Sequence, residues 1–444
     1  MTRLAAFVVC AAVALPCTAR AQPAPSTRVL TLSDAVAVAL EQNPDVLTEE
    51  MDVRGARASR AEAAGAFGPK VHVDADVQQW NSPFDLPFAF PGQPPPPPIF
   101  RVRDAFTWTA SVSLIQPLTQ LWAIYDEYKV QNFGVDMASI KRLVTRREIA
   151  FRAVEAYYRL LEENRLAEVA DASVAQLKAQ QAQANVLFAN GVIGKDEVLR
   201  AGLALAGAEQ RSIQMRGQKD LAHAELAVVL GMPQDTAFEA VPFSGDPPAP
   251  ADMTAQSAET RAKVQRLELT ELDRGVAQAG AGVAFAKKKL LPTVNAVLNY
   301  THFAGSAFQQ ADSAYAGVFA SWDVWDWGTT LGGMAAADAK LQQVRLARKK
   351  AEDQVSLEAR RAFVNAETAR SALNVARTAV TQAEENYRIV TKKFENSAAT
   401  SFDVVDAESL LTQARGQVET ALYDLLIARA ALDRATGAPL PGEK

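Results

Sequence analysis

The sequence predicts a mainly α-helical protein made of two copies of one unit, each a long coiled-coil hairpin joined to a pair of β-strands. Three observations carry this fold class. The chain repeats itself internally, its apolar positions keep a heptad spacing far beyond the length of a globular core, and its tryptophans gather beside four short alternating segments.

The first residues bound the compartment. Arg3 is followed by the apolar run Leu4 to Leu15, and Ala19-Arg20-Ala21 supplies a small-x-small cleavage pattern before Gln22. Such a run is too short to span a bilayer and has the flanks of a secretory leader, so residues 1–21 are expected to be a signal peptide. Cys10 and Cys17 both fall inside it, and Cys17 follows Leu15-Pro16, a poor lipoprotein box. The mature chain is therefore expected to have no thiol, no disulfide and no lipid anchor of the usual kind. Loss of Arg3 and Arg20 moves the net charge from −5 to −7, a balance unsuited to holding nucleic acid. Beyond the leader no apolar run reaches about 18 residues, so membrane residence would have to rest on strands.

The duplication is read by shifting the C-terminal half back by 206 positions. Phe394-Glu395-Asn396 then falls on Phe188-Ala189-Asn190, Val404 to Ala407 on Val198 to Ala201, and Gly437-Ala438-Pro439 on Gly231-Met232-Pro233. Upstream, Pro292-Thr293-Val294 pairs with Pro69-Lys70-Val71 at an offset of 223, which leaves the Pro-rich stretch 81–103 as extra material in the first copy. The first repeat is assigned to 22–240, a Pro-rich linker to 241–255, and the second repeat to 256–444. Repeats at this scale are duplicated structural units, not one continuous core.

The long helices follow from periodicity. In the second copy apolar residues stand at Val355, Ala359, Ala362, Ala366, Ala369, Leu373, Ala376, Val380, Ala383, Tyr387, Val390 and Phe394, in steps that alternate four and three. This 3.5-residue spacing is a supercoiling seam. The equivalent stripe in the first copy is broken only at Glu163 and Gln181, and the returning helix continues from Val404 to Leu432. Helix hairpins are expected over about 120–230 and 328–436. At roughly 1.5 Å per residue the first long helix would run on the order of 95 Å.

Strands are expected over about 70–80 and 106–116, and again over 293–302 and 314–324. Val71, Val73, Ala75 and Val77 alternate with polar residues, as do Trp108, Ala110, Val112 and Leu114. Each segment has the length of a tilted membrane strand, and all six tryptophans (Trp80, Trp108, Trp122, Trp322, Trp325, Trp327) lie in or beside them. Trp80, Trp108, Trp322 and Trp325 are the expected membrane-interface residues. A small soluble sheet with aromatic packing would show the same alternation. Four strands cannot close a barrel, and open sheet edges are not tolerated in lipid, so membrane strands would force assembly of several copies.

The opening Leu30-Thr31-Leu32-Ser33-Asp34-Ala35, continuing to Leu40-Glu41-Gln42-Asn43-Pro44, and the two turns around Phe188 to Gly191 and Phe394 to Ala407, resemble the outer-membrane efflux protein family, the TolC-type channels. That resemblance covers roughly residues 29–440. It implies a homotrimer in the outer membrane of a Gram-negative bacterium, with a 12-stranded barrel in contact with outer-membrane lipid and a helical tunnel across the periplasm. The tunnel would meet a periplasmic adaptor, the membrane-fusion protein, joined to an inner-membrane pump. The chain would then be a passive exit duct for small molecules. A duct for type I protein secretion shares the architecture, and a periplasmic coiled-coil scaffold without a pore is the reading from another class.

The resemblance also implies site residues. Asp403 and Asp406 match the two aspartates that ring the closed tip, and lie three apart on one helix face. The ordinary reading is that Thr400 and Asp403 form a capping box. Phe188, Gly191, Glu197, Phe394 and Ser397 are the implied hairpin-tip and adaptor contacts. Where the family often has a Tyr and an Arg to bond neighbouring hairpins, this chain has Phe394 and Ala399. Glu197, beside Asp196, stands at the acidic position of the first hairpin. Nothing in the sequence supports catalysis or a cofactor: His72, His223 and His302 are unrelated in position, no cluster has metal-ligand spacing, and Gly280-Ala281-Gly282 lacks a third glycine. Pro94 to Pro98 favours polyproline II and reads as an outer-loop spacer or a partial cover of the outer mouth.

Overall fold

The computed structural model describes residues 28–88, 90–92, 94–245, 247, 253–396 and 398–442. The expected leader, and with it both cysteines, lies outside the described residues. In chain order the elements are β1 (Arg28–Leu30), α1 (Leu32–Gln42), α2 (Pro44–Gly65), β2 (Lys70–Gln79), β3 (Phe84–Pro87), β4 (Ile99–Pro117), α3 (Leu121–Ala189), α4 (Lys195–Val229), β5 (Phe238–Ala240), α5 (Ala255–Gln265), α6 (Leu267–Lys288), β6 (Thr293–Ser306), β7 (Asp312–Ser321), α7 (Thr329–Glu395) and α8 (Ser401–Thr436). Two short helices, two long strands, a very long helix and a returning helix thus occur twice in the same order.

The two copies match in atomic detail. Thr31 caps α1 and Thr254 caps α5, each closing a capping box. Each short helix then breaks at one extended residue, Asn43 or Arg266, whose amide still donates to the carbonyl four back, Ala39 or Ala262. Behind each break sits a glycine with positive φ, Gly231 at +72° and Gly437 at +77°. A Cβ at Gly231 would stand 2.5 Å from the Gln42 oxygen, and one at Gly437 would stand 2.7 Å from the Gln265 Cβ. Gln42 and Gln265 are themselves equivalent by the 223-residue offset. The glycines are needed both for the left-handed conformation and for the close backbone approach.

α3 has 69 residues and α7 has 67, on the order of 100 Å each. Every heptad position of α7 from Val355 to Phe394 is buried or half-buried. The stripe read from spacing is the seam with α8. The core thickens near the middle, where β1 and β5 pair in parallel and Leu30, Val36, Val46, Tyr157, Leu226 and Leu230 close around α3. There the Tyr157 hydroxyl donates toward the carbonyls of Leu30 (3.0 Å) and Val241 (2.9 Å). Burial pushes its pKa up to about 12. A charge cluster binds the repeats at the same level. Arg266 reaches Glu268 (2.8 Å) and Glu358 (3.1 Å), and Arg434 reaches Glu358 (2.6 Å) and Glu148. Four helices, α3, α6, α7 and α8, are joined by these contacts.

The long strands form one antiparallel sheet in the order β2-β4-β6-β7. Its ends differ from the expected ones where β4 begins at Ile99. There β3 pairs with it, Phe84 to Pro87 against Arg103 to Ile99, and Phe88 packs on Phe100 at 5.7 Å. Pro94–Pro98 is therefore the loop of a hairpin and not a free spacer, because the aromatic side chains flanking it give both arms something to bury. β2 and β7 are the two sheet edges, and they run in opposite senses.

Candidate functional site

The sheet is a single layer whose two faces differ in chemistry. The register places Val71, Val73, Ala75 and Val77 of β2 beside Leu114, Val112, Ala110 and Trp108 of β4. The same face continues through Leu298 and Tyr300 of β6 to Ala316, Val318 and Ala320 of β7. The opposite face carries Lys70, His72, Asp74, Asp76, Ser111, Asn299 and Thr301. One side suits hydrocarbon and the other suits water, with period-2 alternation producing both. Among the described residues no helix is long and apolar enough to cross a membrane.

The tryptophans stand at the two ends of this sheet. Trp108 is on the apolar face at the loop end, its ring packed at a tilt against His302 with centroids 4.8 Å apart. Trp322 follows β7 in the parity of the apolar face at the helical end, its indole N–H donating to the Leu290 carbonyl at 3.1 Å. Trp325 is 74% exposed in the connection to α7 and meets Trp327 edge-on. Trp80 behaves differently. It donates to Thr107 on the polar face, and the Arg103 guanidinium lies 3.6 Å over its ring. Parity along β2 turns it away from the apolar side, a consequence that sequence position at a strand end does not reveal.

At the far end of the helices the two hairpin turns use the same device. α3 closes with the Val192 amide donating to the Leu187 carbonyl and the Gly191 amide to Phe188, with Gly191 at φ +71°. This is a Schellman turn. In the second hairpin the Ala398 amide donates to Lys393, the equivalent bond. Ser397 lies outside the described residues. The equivalent phenylalanines part company: Phe188 is 44% exposed while Phe394 is 7% exposed. Only the first presents its ring outward.

α8 begins with a capping box. The Thr400 amide and hydroxyl both donate to the Asp403 carboxylate at 2.8 Å, and the Asp403 amide donates back to the Thr400 hydroxyl at 3.3 Å. These hydrogen bonds from Thr400 hold the Asp403 carboxyl below the usual carboxylate range. Asp406 is exposed and outside the capping box. Both aspartates thus sit on the uncovered side of α8, while Ser401, Val404, Ala407 and Glu408 face inward.

Two polar ties that sequence reasoning did not find cross between the hairpins. Glu197, in the first turn of α4, accepts the Ser401 amide at 3.2 Å. Farther from the tip, buried Glu408 accepts the Ser173 hydroxyl of α3 and the Thr412 hydroxyl, each at 2.7 Å. Glu408 stands one residue past the seam position Ala407, so the heptad spacing gave no signal for it. Glu197 carried no signal for its partner, because that partner is a backbone amide 204 residues away. Phe394 and Ala399 make neither tie.

The geometry is matched by known proteins. A family model described as outer membrane efflux protein matches residues 35–232 and 260–438. Among solved structures, the CmeC outer membrane channel of Campylobacter jejuni superposes with a TM-score of 0.79 at 15% identity, covering 93% of this chain and 87% of that one. The outer membrane protein VceC of Vibrio cholerae superposes at 0.75 and 17% identity, covering 92% and 97%. The open state of the Neisseria gonorrhoeae MtrE outer membrane channel gives 0.73 and 14%, covering 93% and 90%. No curated protein matches in sequence.

Proposed function

The chain belongs to the outer membrane efflux protein family, and we propose that three copies pool their sheets into one 12-stranded barrel that opens into a helical tunnel, giving solutes a passive exit from the periplasmic side. Its place is the Gram-negative outer membrane, with the long helices on the periplasmic side. In this reading an inner-membrane pump supplies the energy and a periplasmic adaptor joins pump to tunnel at the hairpin tips. Exposed Phe188 and Gly191 of the first tip, with Glu197 beside them, form the adaptor-facing surface. The barrel contributes no chemistry; it contributes a water-filled path.

One observation carries this proposal: a one-layer sheet, whose four long strands run in the order β2-β4-β6-β7, has an apolar face and leaves β2 and β7 unpaired at its two edges. In lipid each unpaired backbone group costs several kcal/mol, so both edges must find partners. Because β2 and β7 run in opposite senses, another copy added at either edge continues the antiparallel pattern until the ring closes. The helices support the same assembly. α4 leaves Leu199, Leu203, Ile213 and Leu221 exposed, and α7 leaves Leu346, Val364 and Val375 exposed. An open groove of about 1130 Å³ along α7 and α8 is lined by Ala362, Ala369, Ala376, Gly416, Ala421 and Ala428. Small residues in such a groove admit a neighbouring helix at close range. In the closed assembly Asp406, with Asp403 beside it, rings the narrow end and favours cations.

Single cysteines placed along β2 (Val71, Val73, Ala75) and along β7 (Ala316, Val318, Ala320) in one chain test the closure. Oxidation in the membrane should give a covalent ladder that ends at three copies. A ladder ending at two, or no cross-link at any pairing, contradicts the proposed ring.

A further inference from the structure

The helical end of the apolar sheet face carries a feature that the duct does not use. α6 ends in Lys287-Lys288-Lys289. Lysines at a helix C-terminus are favoured by the dipole alone, but these three have different surroundings. Lys288 is committed: its ammonium is 2.5 Å from the buried Asp126 carboxylate and 3.0 Å from the Trp122 carbonyl. Lys287 is exposed and lines neither neighbouring groove. Lys289 is exposed and lines both of them.

One groove, of about 410 Å³, runs between the ends of α2, α3 and α6 and is walled by Trp122, Ile124 and Phe285. The other, of about 490 Å³, lies under the connection from β7 to α7 and is walled by Leu290, Trp322 and Trp325, with Asp323 among its lining residues. Trp322 continues the apolar-face column of β7, so this groove opens on the side that meets hydrocarbon. The Asp326 carboxylate is occupied by the Gly328 and Thr330 amides and the Thr330 hydroxyl, and no ion pair joins Asp323 to Lys289. At the level where a bilayer's headgroups begin, the surface therefore offers the Lys289 ammonium, held over the Phe285 ring at 5.4 Å, the Asp323 carboxylate and two apolar grooves.

We propose that this rim is a binding site for a glycerophospholipid with a primary-ammonium headgroup, its phosphate on Lys289, its ammonium on Asp323 and its chains along the Trp122–Phe285 and Trp322–Trp325 grooves. The proposal rests on the outer-membrane reading above, which brings the leaflet to this level. Three features select this occupant. The opposite charges match a zwitterion, where an anion alone would meet the repulsion of Asp323. The tryptophans and leucines suit the boundary between headgroup and chain. The site is also continuous with the membrane-facing sheet. A primary ammonium can donate hydrogen bonds to a carboxylate, and a quaternary one cannot.

Native mass spectrometry of the detergent-extracted full-length protein tests it, with phosphatidylethanolamine, phosphatidylcholine and phosphatidylglycerol of matched chains added in turn. The wild type should retain phosphatidylethanolamine above the other two. Lys289→Glu and Lys289→Ala should each lower that retention by about fivefold or more. Asp323→Asn should erase the preference for ethanolamine over choline, and Lys287→Glu, with the same charge change two residues away, should leave both unchanged. Equal retention of the three lipids by the wild type overturns the site. So does an effect of Lys287→Glu as large as that of Lys289→Glu, which would mean only general surface charge. Displacement of all lipid by inorganic phosphate would mean a plain anion site and also overturns it. If a neighbouring copy fills the groove, Lys289→Ala lowers the amount of assembled oligomer without changing lipid retention, again against the proposal. The same spectra give the number of chains per particle, so a failure of the trimer reading is seen separately from a failure of the lipid site.

Discussion

The Glu197 carboxylate accepts the Ser401 backbone N–H at 3.2 Å, so an acid at the start of one hairpin's returning helix caps the start of the other's. α8 is thereby held by two carboxylates, Asp403 from its own first turn and Glu197 from across the tip. Ser401 is buried there, its hydroxyl without a hydrogen-bond partner. The first prediction concerns this tie. Removing a charge-assisted bond at a partly covered helix start costs about 1 kcal/mol, or about a fivefold shift between tied and untied tips. Glu197→Ala should raise the open probability of single channels by about that factor, while Glu197→Gln, which keeps an accepting oxygen, should lie between. Identical gating in all three proteins would remove Glu197 from the latch.

The second prediction tests the sheet's sidedness. Leu298 and Asn299 are neighbours on β6 but face opposite ways. Leu298→Arg puts a cation on the apolar face near mid-strand and should cost about 2–4 kcal/mol of insertion stability. Asn299→Arg should insert normally and change ion selectivity instead. Outer-membrane yield after heat-modifiability electrophoresis separates the two, and equal losses would contradict the assignment of faces.

A third concerns the repeated joints. Gly231→Ala and Gly437→Ala each add a Cβ against Gln42 or Gln265 and strain a positive φ, so each should lower the stability by more than about 1 kcal/mol and with it the unfolding midpoint. Gly207→Ala, mid-helix in α4 with nothing within 4 Å, should be neutral or stabilising by about 0.5–1 kcal/mol. Thermal unfolding followed by circular dichroism in one detergent compares the three.

The fourth concerns pH. Burial alone would raise the Glu268 carboxyl, but its hydrogen bonds and charge pairing with Arg266 outweigh this and hold it below the usual range. A carboxylate lowered on folding stabilises fully above its unfolded pKa, about 4.3, and that stabilisation fades as pH falls through the lower folded value. The stability gap between wild type and Glu268→Gln should therefore be constant from neutral pH to about 5 and shrink below about 4.3. A gap that widens on acidification would have the wrong sign.

The sequence made legible what is periodic or repeated. Spacing located the α7 seam from Val355 to Phe394 because a heptad stripe depends only on positions within one helix. Alternation located the strands for the same reason. The contacts between distant segments were not legible. Arg266, Glu358, Arg434 and Glu148 form one cluster, yet each reads alone as an ordinary helix charge. The Asp403 capping box was visible from Thr400 three residues earlier, whereas the tie from Glu197 was not, since a backbone amide leaves no residue type to recognise. The face of Trp80 was not legible for a related reason: distance from a strand's end is set by sequence, but the face it occupies is set by pairing with Ala105 and Thr107.

Single-channel conductance tests the central claim most directly. The protein, extracted from outer membranes and placed in a planar bilayer, should show discrete, cation-selective openings. The Asp403→Ala, Asp406→Ala double variant should open more widely or select cations less. Asp406→Asn should weaken selectivity without the loss of helix stability that Asp403→Asn brings through its capping box. A correctly assembled protein that passes no discrete current would contradict the duct and leave the helical rod as a scaffold.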